Sequence, residues 1–498
     1  MGIYSITESA LSGLNIAQAG ILTTSQNVAG TSVEGYTRRN ANAIMDKLAP
    51  NSLMLNGSSF AVEGFTRQYS SLLNGQLLNQ QAKSSYSDTL VQYTQSVDSL
   101  VADKATGLNV ALNDFFNAFG TYAADPTNKS MAGAITGAAN AVAQRMTGMS
   151  TLAAQIQTDA QKGLTDTVAQ VNTLLPALAD INQRIIEANS PGNSAPSADL
   201  LDERDRLLSQ LQKLIGGQSL INSDETATQL VAGMPLVERA ISNKVTINTD
   251  LEHVALTFNL QNGPDKGFQT TVQSLDGGQA GALLKISNEF VPDMVRQLDT
   301  IALALVKVAN SAAQSSAGTA TSLAIFGFKV GSTTYSSLAT GDRTANIRSI
   351  ASNADMTSLY NDLASPANLM TANGLKASNF VSVAPSNFLQ YFTGGVDGGT
   401  PLITSAKANT LQQLSTVFAS RASDFVNGIG VQVATWKNNQ KADTVVMSNL
   451  KDQRDAISGV NLDEEAANLL KYQQLYTAST KVLQAGNQMF NTLLSIMN

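Results

Sequence analysis

NLDEEAANLLKYQQLYTASTKVLQAGNQMFNTLLSIMN, residues 461–498, decides how this chain is read. Within it Leu462, Leu469, Tyr476, Leu483, Phe490 and Met497 recur at every seventh position, all apolar or aromatic, and a helix sets them in one row. The interleaved row, Ala466, Gln473, Thr480, Asn487 and Leu494, is mostly small or polar, so the seam calls for a partner helix. The first residues offer one: Tyr4, Leu11, Gln18 and Ser25 alternate with Thr7, Leu14, Ile21 and Val28 in the same three-four spacing. Two matched, weakly apolar terminal helices are expected to meet each other and their neighbours in an assembly. The expected assembly interface is Leu11, Leu14, Ile21, Val28, Leu462, Leu469, Tyr476, Leu483, Phe490, Leu494 and Met497. An ordinary packed amphipathic helix carries the same pattern.

Composition narrows the class. At 498 residues there is length for several domains, while charged residues make up only 14% and the surface is correspondingly neutral, as suits burial in a polymer. The net charge of -7 and the lack of any basic stripe argue against nucleic acid or an anionic membrane as partner. Without cysteine there is no disulfide, thiolate metal site or Cys nucleophile. No Lys or Arg precedes Arg38 and no long apolar run follows, so neither a cleavable secretory signal nor a membrane span is expected. A chain free of disulfides suits export as an unfolded thread.

Working inward, Gly30, Gly35, Pro50 and Gly57 break the first helix pattern, and Ser58 to Tyr69 alternates around Phe60, Val62 and Phe65 as a short strand. From Ser70 to Asn189 the pattern is helical, punctuated at Gly107 and at Asp125-Pro126, with a kink expected at Pro176. After a loop at Pro191, Gly192 and Pro196, Asp199 to Ile215 reads as a helix stopped by Gly216-Gly217. Val245 to Asn248 and His253 to Leu260 alternate as strands, and a helix is expected from Gly281 to Ala313. Helical pattern resumes from Ser405 to Leu450. The expected fold class is multidomain and mainly α: paired terminal coiled-coil-like helices, a long helical rod, and a smaller β-rich or mixed middle. Its parts are 1–35 with 456–498 (terminal helices), 36–216 with 401–455 (rod, with a short β segment near 57–69), 217–280 (β-rich), 281–317 (returning helix) and 318–400 (outward-facing module).

Chemistry is scarce. The single histidine, His253, falls on the polar side of its strand, where solvation outweighs a catalytic role. Asp463, Glu464 and Glu465 open a helix behind Asn461, where carboxylates oppose the dipole and Glu464 completes a capping box. Asp202, Glu203, Arg204, Asp205 and Arg206 alternate in sign along a helix, as ion pairs on a solvated or inter-helix face do. GGVDGG at 394–399 lacks the Lys and Ser/Thr of a phosphate loop and the repeated Asp of a calcium loop, and reads as a turn. Trp436 reads as a core contact. No catalytic, cofactor or metal residue is expected, and the chain is not read as an enzyme.

Ser458 to Leu470, SGVNLDEEAANLL, with Lys471-Tyr472-Gln473-Gln474-Leu475-Tyr476 after it, closely resembles the carboxyl-terminal signature of the flagellar hook-associated protein 1 family. Ser12-Gly13-Leu14, Ala17, Asn27-Val28 and Gly35-Tyr36-Thr37-Arg38 resemble the motif shared by flagellar rod, hook and junction proteins. Gly57 to Tyr69, Asp125-Pro126, Leu200 to Leu208 and Gly233-Met234-Pro235-Leu236-Val237 are similar to family blocks in the right order. The likeness covers both ends and most of the rod. It implies a structural protein exported through the flagellar apparatus without a cleaved signal to an extracellular place in the flagellum. The implied partners are further copies of itself in a ring, the hook protein, the adjacent hook-associated junction protein, and an export chaperone at the carboxyl-terminal helix. A filament or hook subunit proper, or an axial scaffold whose outer module is an adhesin, are the alternatives.

Overall fold

The computed structural model describes residues 3–33, 35–45, 60–102, 107–190, 196–249, 253–261, 266–313, 325–330, 333–335, 377–382 and 404–497. The chain opens with α1 (Ile3–Gly30) and a two-stranded antiparallel ribbon, β1 (Arg39–Met45) and β2 (Phe60–Arg67). Strand β2 lies where alternation predicted it, whereas the alternation in β1, Asn40-Ala41-Asn42-Ala43, rests on alanines too small to mark a strand. The rod follows as α2 (Ser71–Ala102), α3 (Leu108–Ala124), α4 (Lys129–Ala188) and α5 (Ala198–Ile215). Between α3 and α4 the Asp125 carboxylate accepts from the Thr127 N–H and hydroxyl, and Asn128 caps α4 by accepting from the Ser130 N–H. Helix α4, 60 residues long, continues through Pro176 without a break, although proline removes the bond to the Asn172 carbonyl.

The rod's core is aromatic. Apolar residues at successive turns of α3 bury Phe115, Phe116, Phe119 and Tyr122 completely. Phe116 stacks on Phe418 at 5.2 Å between centroids, and Phe115 meets Phe326 edge-on at 4.9 Å. Such pairs contribute about 0.5–1.5 kcal/mol each beyond burial. Phe326 and Phe380 belong to the small antiparallel sheet β11 (Thr333–Tyr335), β10 (Phe326–Val330), β12 (Phe380–Ser382), so the described strands of the 318–400 stretch reach into this core. The 394–399 turn lies outside the described residues. Trp436 is buried and packs edge-on against Phe290 with 5.1 Å between ring centroids, a packing role.

Two further antiparallel sheets flank the rod, β3 (Gln218–Ile221) to β6 (Ile241–Ser242) through β4 (Ala227–Val231) and β5 (Met234–Glu238), and β7 (Lys244–Asn248), β8 (Ala255–Asn259), β9 (Gln269–Val272). Strands β7 and β8 bury Val245, Leu256 and Phe258. Each sheet is tied to a helix by an asparagine that imitates a neighbouring strand, exchanging bonds with both backbone groups of one residue. Asn182 serves Ala227 at 2.7 and 2.8 Å, and Asn172 serves Val245 at 2.7 and 2.9 Å. Asn288 serves Val254 at 2.7 and 2.9 Å from within a single π turn, Ile286–Phe290, that joins α6 (Gly278–Lys285) to α7 (Val291–Ala313). The returning helix thus begins at Gly278, three residues before the expected start. Gly216 and Gly278 both take positive φ where the two chains cross, and a Cβ on Gly278 would lie 2.6 Å from the Ile215 carbonyl carbon.

The chain returns along the rod through α8 (Ser405–Gln413) and α9 (Ser415–Ser458), and α9 packs against α2 and α3. Asp443 of α9 accepts from Gln80, at 2.9 Å, and from Ser87. The final helix, α10 (Leu462–Met497), packs against α1, which gathers both ends of the chain at one end of the rod.

Candidate assembly interface

Helices α1 and α10 run antiparallel in register, stepping by seven residues on α10 and on α1: Gly486 lies against Ile6 and Thr7, Ser479 faces Gly13, Tyr472 faces Gly20, and Glu465 meets Asn27. A heptad step keeps one face of each helix on its partner. The contact face of α1 is small, with Ala10, Ala17 and Gly20 buried, and the missing Cβ atoms let Ser479 and the Tyr472 ring lie against the helix backbone. The seam therefore closes through small and polar residues rather than through the apolar rows that the sequence displays.

Those apolar rows lie elsewhere on the pair. Leu11 (54%), Val28 (43%), Leu462 (54%) and Phe490 (53%) are exposed, as is Tyr476. Leu14, Ile21, Leu469 and Leu483 are half-buried, and the side chains of Leu494 and Met497 lie outside the described residues. Sequence reasoning missed their neighbours Leu22, Leu470, Leu475, Val482 and Met489, all exposed. Ten of the nineteen exposed large apolar side chains among the described residues sit on these two helices, and α1 carries one charge, Glu8. The outer surface of the pair is rich in exposed apolar side chains, set among polar ones and, on α10, the exposed charges Asp463, Glu464, Lys471 and Lys481.

Where the pair meets the rod, charge is concentrated. Asn27 is buried with all its polar capacity used: its oxygen accepts from the Arg39 N–H (2.9 Å) and the Tyr36 hydroxyl (2.9 Å), and its amide donates to the Arg39 carbonyl (3.0 Å) and Glu465 (3.2 Å). Asn461 caps α10 by accepting from the Asp463 N–H at 3.0 Å. Glu464, expected to complete a capping box, pairs instead with Arg38 at 2.7 Å, and Glu465 is buried against the same guanidinium at 2.8 Å. Of the alternating charges of α5, Asp202, Arg204 and Asp205 face inward, while Glu203 and Arg206 pair with each other on the exposed side. Asp202 accepts from Thr37 (2.5 Å), Arg39 (3.2 Å) and Arg67 (2.8 Å), and Asp205 takes the other arm of Arg67 at 3.0 Å. Arg39 and Arg67 are directly paired across β1 and β2, so the ribbon presents both guanidinium groups to one helix face.

Arg204 is fully buried, held by Asp205 at 2.7 Å and by the side chain and backbone of Glu225. Burial opposes its charge, but Asp205 and Glu225 more than offset this and hold its pKa above the ordinary arginine value. Burial, reinforced by the Asp205 charge, pushes the Tyr69 phenol up to about 12. Alongside lies a cleft of about 760 Å³ between the end of α1, α2, α5 and the end of α9, lined by Thr37, Tyr69, Gln81, Lys213, Arg454 and Glu464 among others. His253 precedes β8 and is half-buried. No group of three or more His, Cys, Asp or Glu among the described residues is arranged to hold a metal, and no described helix is long and apolar enough to cross a membrane. What this end of the molecule offers is a fixed polar joint carrying an apolar helix pair.

Residues 94–323 match the family model described as the flagellar hook-associated protein FlgK helical domain, and 453–496 the one described as flagellar basal body rod FlgEFG protein C-terminal. Flagellar hook-associated protein 1 of Salmonella typhimurium is 24% identical over 551 residues, covering 99% of this chain and 100% of that protein. The proteins of the same name from Escherichia coli K12 and Bacillus subtilis 168 are each 22% identical, covering 99% and 98% of this chain and 100% and 97% of theirs. The solved structure of the flagellar hook junction protein FlgK from Burkholderia pseudomallei is similar at 21% identity and a TM-score of 0.43, over 51% of this chain and 47% of that one. With the rod and the terminal helix matched in order and relatives of one name aligned from end to end, the chain belongs to the flagellar hook-associated protein 1 (FlgK) family.

Proposed function

We propose that this protein is the structural link between hook and filament of the bacterial flagellum, assembling as a ring on the distal hook through its terminal helix pair. Family membership supports a flagellar structural role, and the single observation that carries the assembly step is the concentration of exposed large apolar side chains on α1 and α10. Monomeric proteins bury such surface, and a helix pair that exposes it on most of its length gains by packing against other helices. In this reading Leu11, Leu14, Ile21, Val28, Leu462, Leu469, Tyr476, Leu483, Phe490, Leu494 and Met497 contact further copies, the hook below and the next junction protein above. The same α10 surface, before assembly, is what an export chaperone grips. Residues 1–35 with 456–498 then form the inner layer, and the rod and sheets stand outside it.

The test is to delete the codons for Asn461 to Asn498 in the native host and examine swimming, secreted protein and hook tips by electron microscopy. Bare hooks, with filament subunits lost to the medium and this protein itself still found outside the cell, are the expected result. Normal filaments and motility would overturn the reading.

A further inference from the structure

Two consecutive residues cross between the terminal pair and the rod, and each is bonded to both bodies in opposite senses. The Arg38 N–H donates to the Ser458 carbonyl at the end of α9 (2.9 Å), and its carbonyl accepts from the Gln68 N–H just before α2 (2.8 Å). Its side chain points the other way, onto Glu464 and Glu465 of α10. Arg39 reverses the pattern: its backbone is bonded to Asn27 of α1, and its side chain reaches Asp199 (2.5 Å) and Asp202 of α5. An extended backbone turns successive side chains to opposite sides, so adjacent arginines are what such a crossing requires.

We propose that Arg38 and Arg39 form a cross-stitch that sets the angle of the terminal pair on the rod. Each arginine is anchored by one exposed and one largely buried carboxylate: Arg38 by Glu464, 57% exposed, and Glu465, 2% exposed, and Arg39 by Asp199, 80% exposed, and Asp202, 12% exposed. The exposed arms contribute little and the buried ones hold, because removing one partner of a buried pair strands the charge of the other. The inference deepens the reading of this chain as a mechanical link, because a link between two bodies needs a defined angle between them.

The chain has no cysteine, so Ala177→Cys on α4 and Gln474→Cys on α10, both exposed, take spin labels cleanly. Pulsed electron resonance on the full-length, unassembled protein should give a narrow distance distribution. Arg38→Gln should broaden and shift it, while Arg296→Gln, which removes an exposed pair with Asp293 on α7, should leave it unchanged. If Arg38→Gln costs helix content by circular dichroism, Glu465→Gln, which keeps the side chain's shape and removes the buried charge that Arg38 meets, replaces it and should still broaden the distribution. A distribution as narrow as the parent's in the folded variant, or a parent already as broad as the variant, overturns the stitch. Since no assembly is involved, failure here leaves the hook-tip experiment to judge the functional reading separately.

Discussion

Asn27→Asp changes one NH₂ group to oxygen in the middle of the joint, and the structure says what that costs. Two bonds survive, because the retained oxygen still accepts from the Arg39 N–H and the Tyr36 hydroxyl. Two fail: the new oxygen faces the Arg39 carbonyl at 3.0 Å and the Glu465 carboxylate at 3.2 Å. Leaving a buried carbonyl unpaired costs about 1–3 kcal/mol. Like charges at such a distance repel by up to about 5 kcal/mol at an effective dielectric of 20, reduced here by Arg38 and Arg39 nearby. A net loss of about 3–5 kcal/mol falls on the local stability of the α1–α10 pair, and 3 kcal/mol alone lowers the protection of its amides roughly 100-fold. Native-state hydrogen exchange on the full chain reads this directly, with α4 as the internal reference. Unchanged protection in α1 and α10 would refute the claim that Asn27 holds the pair to the joint.

Gly20→Val puts side-chain atoms into the space of the Tyr472 ring, so the pair should lose about 1–3 kcal/mol despite valine's better helix propensity; a gain in exchange protection of α10 would show that the helices do not pack there. Arg204→Met leaves Glu225 and one face of Asp205 without their buried partner and should cost about 3–5 kcal/mol, seen as a lower thermal unfolding midpoint. Phe116→Ala opens a cavity between α3 and α9 at a similar cost of about 3–5 kcal/mol, whereas Phe65→Ala, on an exposed position of the ribbon, should leave the melting curve in place. The Tyr69 phenol ionises near its ordinary value, about 10, in the unfolded chain and about 12 in the fold, so its contribution is complete below pH 10 and is lost as pH rises toward 12. Alkaline unfolding curves of the parent and Tyr69→Phe should converge below pH 10, and a parent no more sensitive than the variant above it would count against the burial of that phenol.

The helices were legible because their signals are local. Gly107, Asp125-Pro126 and Gly216 stop or start helices through the backbone conformations and turns that these residue types favour, and the structure places boundaries at each. The terminal seam was not legible, for a physical reason. Periodicity in hydrophobicity reveals rows that want cover, but two helices that approach closely do so along small residues, and Gly13, Ala17 and Gly20 contribute almost nothing to an apolar count. The polar joint was hidden differently. Asp202 and Asp205 look like any solvated helix charge until Arg39 and Arg67, 163 and 138 residues away from the carboxylates they meet, are brought beside them. Strand β1 escaped notice because Arg39, Asn40 and Asn42 fill it with polar side chains. The asparagines that dock the sheets are likewise silent in sequence, since an amide serving a backbone elsewhere has no spacing rule.

The register of α1 against α10 has a consequence in time. Asn27 and Glu465 are separated by 438 residues, and Gln80 and Asp443, which join α2 to α9, by 363, whereas α3 and α4 are neighbours in sequence. Loop closure grows only slowly with length, so both long-range pairings, α2 with α9 and α1 with α10, wait on the same event, the arrival of the carboxyl-terminal helices. On the proposed export as an unfolded thread, whichever end leads waits unpaired until the other has emerged. In that reading the joint around Asn27 is a completion check, because α1 and α10 close on it only once the last helix is present.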